Sequence, residues 1–292
     1  VLPALRRGNV RGAITAGLTP RNGGKSTAEI LEAAAAGKIE CLVLLGADPL
    51  SDVPDADLAR RGISGARNII AIDTFITQSS ALADIVLPAA AYGEKEGTTT
   101  NVEGRISNVA QSITPVGTSR PDWMIAVELG TATSHDLGFA SYTEVHSAMI
   151  AGVNEFAPAI DTHAVEHDGV IVAHPTPITL ARADGAGIER NSYDYRAVVS
   201  RKLYDNAIGT AKSPSLATLG MASAIIVNPL DAPRIGAQVG ESVRVTSQRG
   251  TILMPLQESV DVLRGTAWLP INLGGYDVRE LLDVTKDVID LK

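Results

Sequence analysis

Cysteine is nearly missing from this 292-residue chain: Cys41 is the single thiol. One thiol excludes an internal disulfide. It also excludes an all-cysteine zinc or iron–sulfur site built from this chain alone. Cys41 lies in the apolar run Cys41-Leu42-Val43-Leu44-Leu45, where a small core residue of a buried strand is expected. Residence in a reducing cytosol fits such a chain. Basic blocks are missing too, and the formal net charge is −8; this argues against nucleic acid and anionic lipid as main partners. No apolar stretch approaches the roughly 18 to 20 residues that a membrane helix needs, and no signal peptide is visible. Aromatics are only 4% of the residues, so alanine, valine, leucine and isoleucine must fill the core. With 45% apolar and 20% charged residues the chain can still bury one. It opens Val1-Leu2-Pro3 without Met, which reads as a piece of a longer polypeptide.

The common catalytic signatures are absent as well: no HExxH, Walker loop or GxSxG occurs. Asn22-Gly23-Gly24-Lys25-Ser26 looks like a phosphate loop but lacks the leading glycine, so it reads as a turn before a helix. The histidines at 135, 146, 163, 167 and 174 show no metal-ligand spacing. His163 and His167 are four apart but flank a linker, and a solvated loop is the better reading. Asp52, Asp55 and Asp57 read as an acidic helix start that complements the positive helix end. No catalytic and no metal-ligating residue is assigned.

What the sequence does have is alternation. Ser26-Thr27-Ala28-Glu29 is a capping box opening an alanine-rich helix that stops at Gly37. Ile39 to Leu45 is a buried strand. Asp55 to Arg61 is a helix ended by Gly62. Asn68 to Asp73 and Ala83 to Leu87 are further buried strands. A helix runs from Ser119-Arg120-Pro121-Asp122 to about Thr133. A second capping box, Ser141-Tyr142-Thr143-Glu144, opens one that stops at Gly152. Apolar strands separated by helices predict an α/β, doubly wound, mostly parallel sheet over 1–157. Prolines and the run Ala183-Asp184-Gly185-Ala186-Gly187 mark 158–195 as linker and loops. From 196 to 292 the strands are Ala197 to Arg201, Ala224 to Asn228, Ser242 to Ser247, Thr251 to Leu256 and Thr266 to Ile271. A hairpin turn stands at Gln248-Arg249-Gly250, and a short last helix at Val278 to Leu282. This second domain is predicted to be a small β-barrel.

Ligands of doubly wound sheets bind at the carboxyl edge of the strands. Gly46-Ala47-Asp48-Pro49 and Asp73-Thr74-Phe75-Ile76-Thr77 lie at such exits. So does the polar stretch Gly93-Glu94-Lys95-Glu96-Gly97-Thr98-Thr99-Thr100-Asn101. Its hydroxyls, its amide and its glycine-exposed N–H groups could meet a nucleotide-like ligand. A self-bonded Ω-like loop accounts for it equally well.

Several stretches in order carry a resemblance. They are Asn9-Val10-Arg11-Gly12-Ala13, Gly46-Ala47-Asp48-Pro49, Ala83-Asp84-Ile85-Val86-Leu87-Pro88, Glu94-Lys95-Glu96-Gly97-Thr98 and Asn101-Val102-Glu103-Gly104-Arg105. Asn228-Pro229-Leu230-Asp231-Ala232, Gly240-Glu241-Ser242-Val243 and Ser247-Gln248-Arg249-Gly250 complete the set. Together they resemble the molybdopterin oxidoreductase superfamily, in which the second domain is a double-psi β-barrel. Two branches are implied. One is the large iron–sulfur subunit of NADH:quinone oxidoreductase (complex I), which keeps the fold typically without the pterin. Gly104 in place of the first arginine of "ERR", Asp48 in place of asparagine, and the tail Leu269 to Leu282 are similar to that branch. It implies iron–sulfur clusters outside this piece, no cofactor within it, and other peripheral-arm subunits of complex I as partners. It further implies a peripheral position on the cytoplasmic side of the inner (plasma) membrane, held only through the complex. The other branch holds the molybdenum or tungsten bis-pterin enzymes, formate dehydrogenases and nitrate reductases. There the resemblance implies that Gly97, Thr98, Asn101 and Asp231 contact the pterin dinucleotide.

Overall fold

The computed structural model describes residues 8–153, 168–172, 194–283, 286 and 288–292. The first unit is a three-stranded parallel sheet: β1 (Cys41–Leu45), β2 (Asn68–Asp73) and β3 (Ile85–Pro88), in that order. A short helix, α1 (Val10–Thr15), comes before it. Helix α2 (Thr27–Ala35) starts where the sequence places it. Ser26 Oγ accepts from Glu29 N at 3.4 Å, and Glu29 Oε2 accepts from Ser26 N at 2.7 Å, both halves of the box. After the single turn α3 (Pro49–Asp52), α4 (Ala56–Gly65) crosses from β1 to β2. Its Ile63 packs on Leu42, Leu44, Ile69 and Ala71. Gly62 does not stop α4. A Cβ at Gly62 would lie 2.7 Å from Leu31 Cδ2, and one at Gly65 2.3 Å from the Ala34 carbonyl oxygen. Both glycines let α4 seat directly on α2, a packing reason rather than a terminating one.

The expectation of strands buried on both faces needs correction. Only Leu42 and Leu44 of β1 are buried, and Cys41 is exposed rather than in the core. Helices α2 and α4 share one face. Among the described residues the other is covered only toward the carboxyl end, where α5 (Asp122–Ala132) sets Ile125 and Leu129 against Ile72, Leu87 and Ala89.

Residues 97–109 form an antiparallel hairpin, β4 (Gly97–Thr100) with β5 (Arg105–Val109), rather than an Ω-like loop. The threonines are β-branched and suit a pleated strand. Val170–Ile171, inside the stretch read as linker, adds a third strand, β6. Ile106, 1% exposed, anchors the hairpin under Met149 and Ile150 of α6 (Tyr142–Gly152). At the start of α6 Ser141 Oγ accepts from Glu144 N at 3.3 Å, but the Glu144 carboxylate accepts from Ala140 N, so the predicted box is only half formed. His163, His167 and His174 lie outside the described residues.

The second unit is a six-stranded sheet of β7 (Tyr195–Arg201), β8 (Ile225–Val227), β9 (Ser242–Thr246), β10 (Thr251–Glu258), β11 (Thr266–Ile271) and β12 (Asp290–Leu291). The order is β12-β7-β11-β8-β10-β9. Parallel pairs (β7 with β11, β8 with β10) alternate with antiparallel ones, and the sheet curls into a half-barrel. Thr246 and Lys292 exchange two backbone hydrogen bonds of 2.8 Å, joining its ends. Val227, Val245, Met254, Leu256, Leu269 and Leu281 fill the interior. The expected final helix is one 3-10 turn, Val278–Leu281.

Candidate functional site

The two units meet along a seam of charge. Asp55 is 3% exposed. Its Oδ1 accepts from Leu58 N at 2.9 Å and so caps α4, while Arg249 Nη2 donates to both carboxylate oxygens at 2.9 and 2.8 Å. Arg249 comes from the β9–β10 turn, so the hairpin reaches across to the sheet domain. Hydrogen bonding to Asp55 raises the Arg249 guanidinium above its ordinary pKa. Arg60 on α4 pairs bidentately with Glu280 at 2.6 and 3.0 Å. Arg279 donates to both Asp277 oxygens and to the Leu50 carbonyl, and its side chain is largely buried between them. Arg201 bonds Asp205 and reaches Asp52 at 3.6 Å.

Beside this seam opens a cleft of about 310 Å³, lined among others by Ser51, Gln78, Asn206, Asn272, Tyr276 and Arg279. Asn272 holds a left-handed φ of 59°. Its amide oxygen accepts from Ala207 N at 3.1 Å and Arg201 Nη2 at 2.9 Å. Burial alone would push the Asp205 carboxyl up, but the Arg201 bond and the Ala207 amide outweigh it and hold it below the usual range.

The strand exits carry acid. Asp48 does not face outward: its Oδ1 accepts from Ser79 N at 3.0 Å and Ser79 Oγ at 2.5 Å, and its Oδ2 accepts from Ser51 Oγ at 2.6 Å. It ties the β1 exit to the β2–β3 connection, where Ser79 is wholly buried. Asp73, at the β2 exit, is pushed up by burial and by Asp48 and Asp122, against the amides of Thr74 and Phe75.

Gly97 and Thr98 sit on β4 and Asn101 in the turn that follows, so one hairpin gathers these three. Asn101 Oδ1 accepts from Arg105 N at 2.9 Å and closes that turn. Asp231 belongs to the half-barrel and is 1% exposed. Its Oδ2 accepts from Gly265 N at 2.6 Å and its Oδ1 lies 3.5 Å from Arg264 Nε, pinning the turn before β11. Gly104 has φ +93°, and a Cβ there would lie 2.5 Å from Arg11 Nη2. Arg11 donates to Val102 O at 2.9 Å and Val172 O at 3.2 Å. Glycine at 104 is required by its left-handed φ and by the Val172 carbonyl oxygen, which would lie 2.6 Å from a Cβ there. Asn9 Oδ1, from the same early motif, accepts from Thr100 N at 2.8 Å. Among the described residues no group of three histidine, cysteine or acidic side chains could hold a metal. None of their helices is long and apolar enough to cross a membrane.

The arginines of the seam escape sequence reading, although Arg249 and Arg279 both stand in stretches that carry the resemblance. Nothing in the order of residues signals that Arg249 meets Asp55, 194 residues away.

Comparison with known proteins gives two matched domains. A family model described as molybdopterin oxidoreductase matches residues 6–132. One described as molydopterin dinucleotide binding domain matches residues 197–288. The NADPH-Fe(3+) oxidoreductase subunit alpha of Geobacter sulfurreducens is 26% identical over 90% of this chain and 31% of its own length. The F420-dependent formate dehydrogenase 2 subunit alpha of Methanococcus maripaludis is 27% identical over 84% of this chain and 40% of its own. A subunit of the NADH-quinone oxidoreductase of Rhizobium meliloti is 25% identical, with coverages of 90% and 31%. The structure of acetylene hydratase from Pelobacter acetylenicus superimposes with a TM-score of 0.63 over 90% of this chain and 44% of that one, at 14% identity, and so shares the fold. The chain spans less than half the length of each.

Proposed function

From the premise that this chain belongs to the molybdopterin oxidoreductase family, through its two matched domains, we propose that it is the C-terminal part of the large iron–sulfur subunit of an NADH:quinone oxidoreductase. In this reading it scaffolds the peripheral arm of a complex that moves electrons from NADH to quinone. It carries no redox centre of its own; the iron–sulfur clusters belong to the rest of the subunit. Its partners are the neighbouring peripheral-arm subunits, on the cytoplasmic side of the membrane.

The observation that carries this reading is the self-neutralised seam. A pterin dinucleotide brings a pyrophosphate, whose charges need cations or free N–H donors. At the cleft Arg279 is held by Asp277 and the Leu50 carbonyl, and Arg201 by Asp205 and Asp52. A phosphate placed there would face these carboxylates and would have to displace them from existing ion pairs to reach an arginine, which is unfavourable. Asp231, the candidate partner for a guanine, is engaged with Gly265 N and out of solvent reach. The residues present therefore do not fit the dinucleotide's phosphates.

A second reading keeps the chain among molybdenum or tungsten bis-pterin enzymes such as formate dehydrogenase, and the formate dehydrogenase similarity favours it. There Gly97, Thr98 and Asn101 on the hairpin would contact the pterin dinucleotide, and Asp231 would have to release Gly265 to join them. Asn101→Ala in the full complex separates the two. As a scaffold residue its loss should lower the amount of assembled complex and leave turnover per assembled complex within about twofold. Turnover falling with assembly intact would overturn the scaffold role.

A further inference from the structure

The half-barrel has an apolar end turned away from the seam. Strand β10 runs away from the Arg249 turn that meets the parallel-sheet unit, and β8 lies parallel to it. The segments that leave these strands, 228–231 and 259–264, therefore emerge at the end remote from the seam. The segment that enters β9, antiparallel to β10, starts there too. Hydrogen bonds tie the three together: Ser259 N donates to Val227 O at 3.0 Å, Asn228 Nδ2 to Val262 O at 2.8 Å, and Gly240 N to Leu256 O at 2.8 Å. On them Leu230 is 69%, Val239 59%, Val260 81% and Leu263 76% exposed. Apolar side chains gathered on one end, rather than scattered singly, mark an interaction surface.

The charges around this patch indicate the partner. Arg234, Glu241, Glu258, Asp261 and Arg264 ring it, all exposed. Arg264 is only loosely held, its Nε 3.5 Å from Asp231, and Arg234 lies 3.9 Å from Asp194. Asp261 has a long contact of 3.5 Å from Ser259 Oγ. Nucleic acid or an anionic membrane calls for one sign of charge. A surface that meets its own copy about a two-fold axis must carry both signs, and this one does. Asp261 and Arg264 stand three residues apart on one loop. Two copies of that loop passing antiparallel set Asp261 of each against Arg264 of the other, with Val260 and Leu263 between them. We propose that this end of the half-barrel is a homodimer interface, in which segment 259–264 of one copy lies antiparallel to that of a second and two reciprocal Asp261–Arg264 ion pairs close it. The cleft and the seam lie at the other end of the strands, so pairing leaves them open. The proposal is therefore independent of whether a pterin is bound.

Sedimentation of the native full-length subunit over a range of concentrations tests it. D261R and R264D should each weaken dimerisation at least about 100-fold, because like charges then face each other twice. Mixed one to one, the two variants should dimerise again with near wild-type affinity, since each supplies the charge the other lacks. The double variant V260E/L263E changes only exposed positions and should be monomeric. A wild-type subunit that stays monomeric up to its solubility limit overturns the proposal. So does a dimer that none of these variants disturbs, or a mixture that does not recover. Loss of binding to other subunits in V260E/L263E, with a monomeric wild type, would assign the patch to a partner subunit and overturn it too. Should R264D not fold, hydrogen exchange on the unmutated subunit decides. Amides of 259–264 should slow at least about 10-fold as concentration rises through dimerisation, and unchanged exchange overturns the proposal.

Discussion

Asp55 performs two tasks, and substitution can separate them. It caps α4 through Leu58 N and it holds Arg249 across the seam. Loss of a helix cap costs about 1 kcal/mol. Breaking a buried ion pair costs about 3–5 kcal/mol, but here the arginine side chain is 32% exposed and Asp57 stands 3.6 Å away as a substitute, so roughly half that is expected. Asp55→Asn keeps the cap acceptor and should cost about 1.5–2 kcal/mol; Asp55→Ala removes both and should cost about 2.5–3 kcal/mol. Arg249→Met leaves the buried carboxylate uncompensated and should cost about 3 kcal/mol. Combined with Asp55→Ala it should cost at least about 1 kcal/mol less than the sum, because the pair is lost once. Thermal unfolding reads this directly, at roughly 2–4 °C per kcal/mol for a protein of this size. Asp55→Asn melting within about 1 °C of the wild type, with a coupling below about 0.3 kcal/mol, would refute the seam as a stabilising contact.

Three further outcomes follow from the packing and charges. Gly62→Ala puts a Cβ 2.7 Å from Leu31 Cδ2. It should destabilise by about 1–3 kcal/mol despite alanine's better helix propensity; a stabilised variant in urea unfolding would show that α2 and α4 do not pack this closely. Asp48→Asn can keep an oxygen toward Ser79 and turn its NH₂ to Ser51 Oγ, so it should cost under about 1 kcal/mol. Asp48→Ala should cost about 2–3 kcal/mol by stranding buried Ser79, and equal melting temperatures for the two would contradict the clasp. Asp205 sits below its unfolded pKa of about 3.9. Its contribution is therefore present at neutral pH, begins to fade near that value, and is lost as pH falls through the folded one. Melting temperature followed from pH 7 downward should fall less steeply below about pH 4 in Arg201→Met than in the wild type. Identical acid limbs would show that the Arg201 bond does not hold Asp205 down.

Much of the architecture is legible in the sequence because it is local. The Ser26 box, the alternating strands and the β9–β10 hairpin need only near neighbours in sequence to declare them. Misreadings arise where the cause is distant. Gly62 looks like a stop until Leu31 is seen against it, and nothing local shows that the Val172 carbonyl closes over Gly104. The threonines of β4 read as a loop rather than a strand because β4 is polar and its partner β5 has only Ile106 and Val109 as apolar residues. Apolar β1 reads as buried on both faces, since composition cannot say whether a second layer is present. The candidate site is the least legible part. Its cleft is assembled from Ser51, Asn206 and Asn272, far apart in sequence, and its arginines are interpretable only beside the acids that neutralise them.

Molybdenum, tungsten and released pterin, quantified per mole of the native full-length protein, test the central claim most directly. The scaffold reading predicts values near zero for all three in protein that still assembles with NADH-oxidising partners. About one metal and two pterins per polypeptide would contradict it, and the hairpin of Gly97, Thr98 and Asn101 would then be a cofactor site.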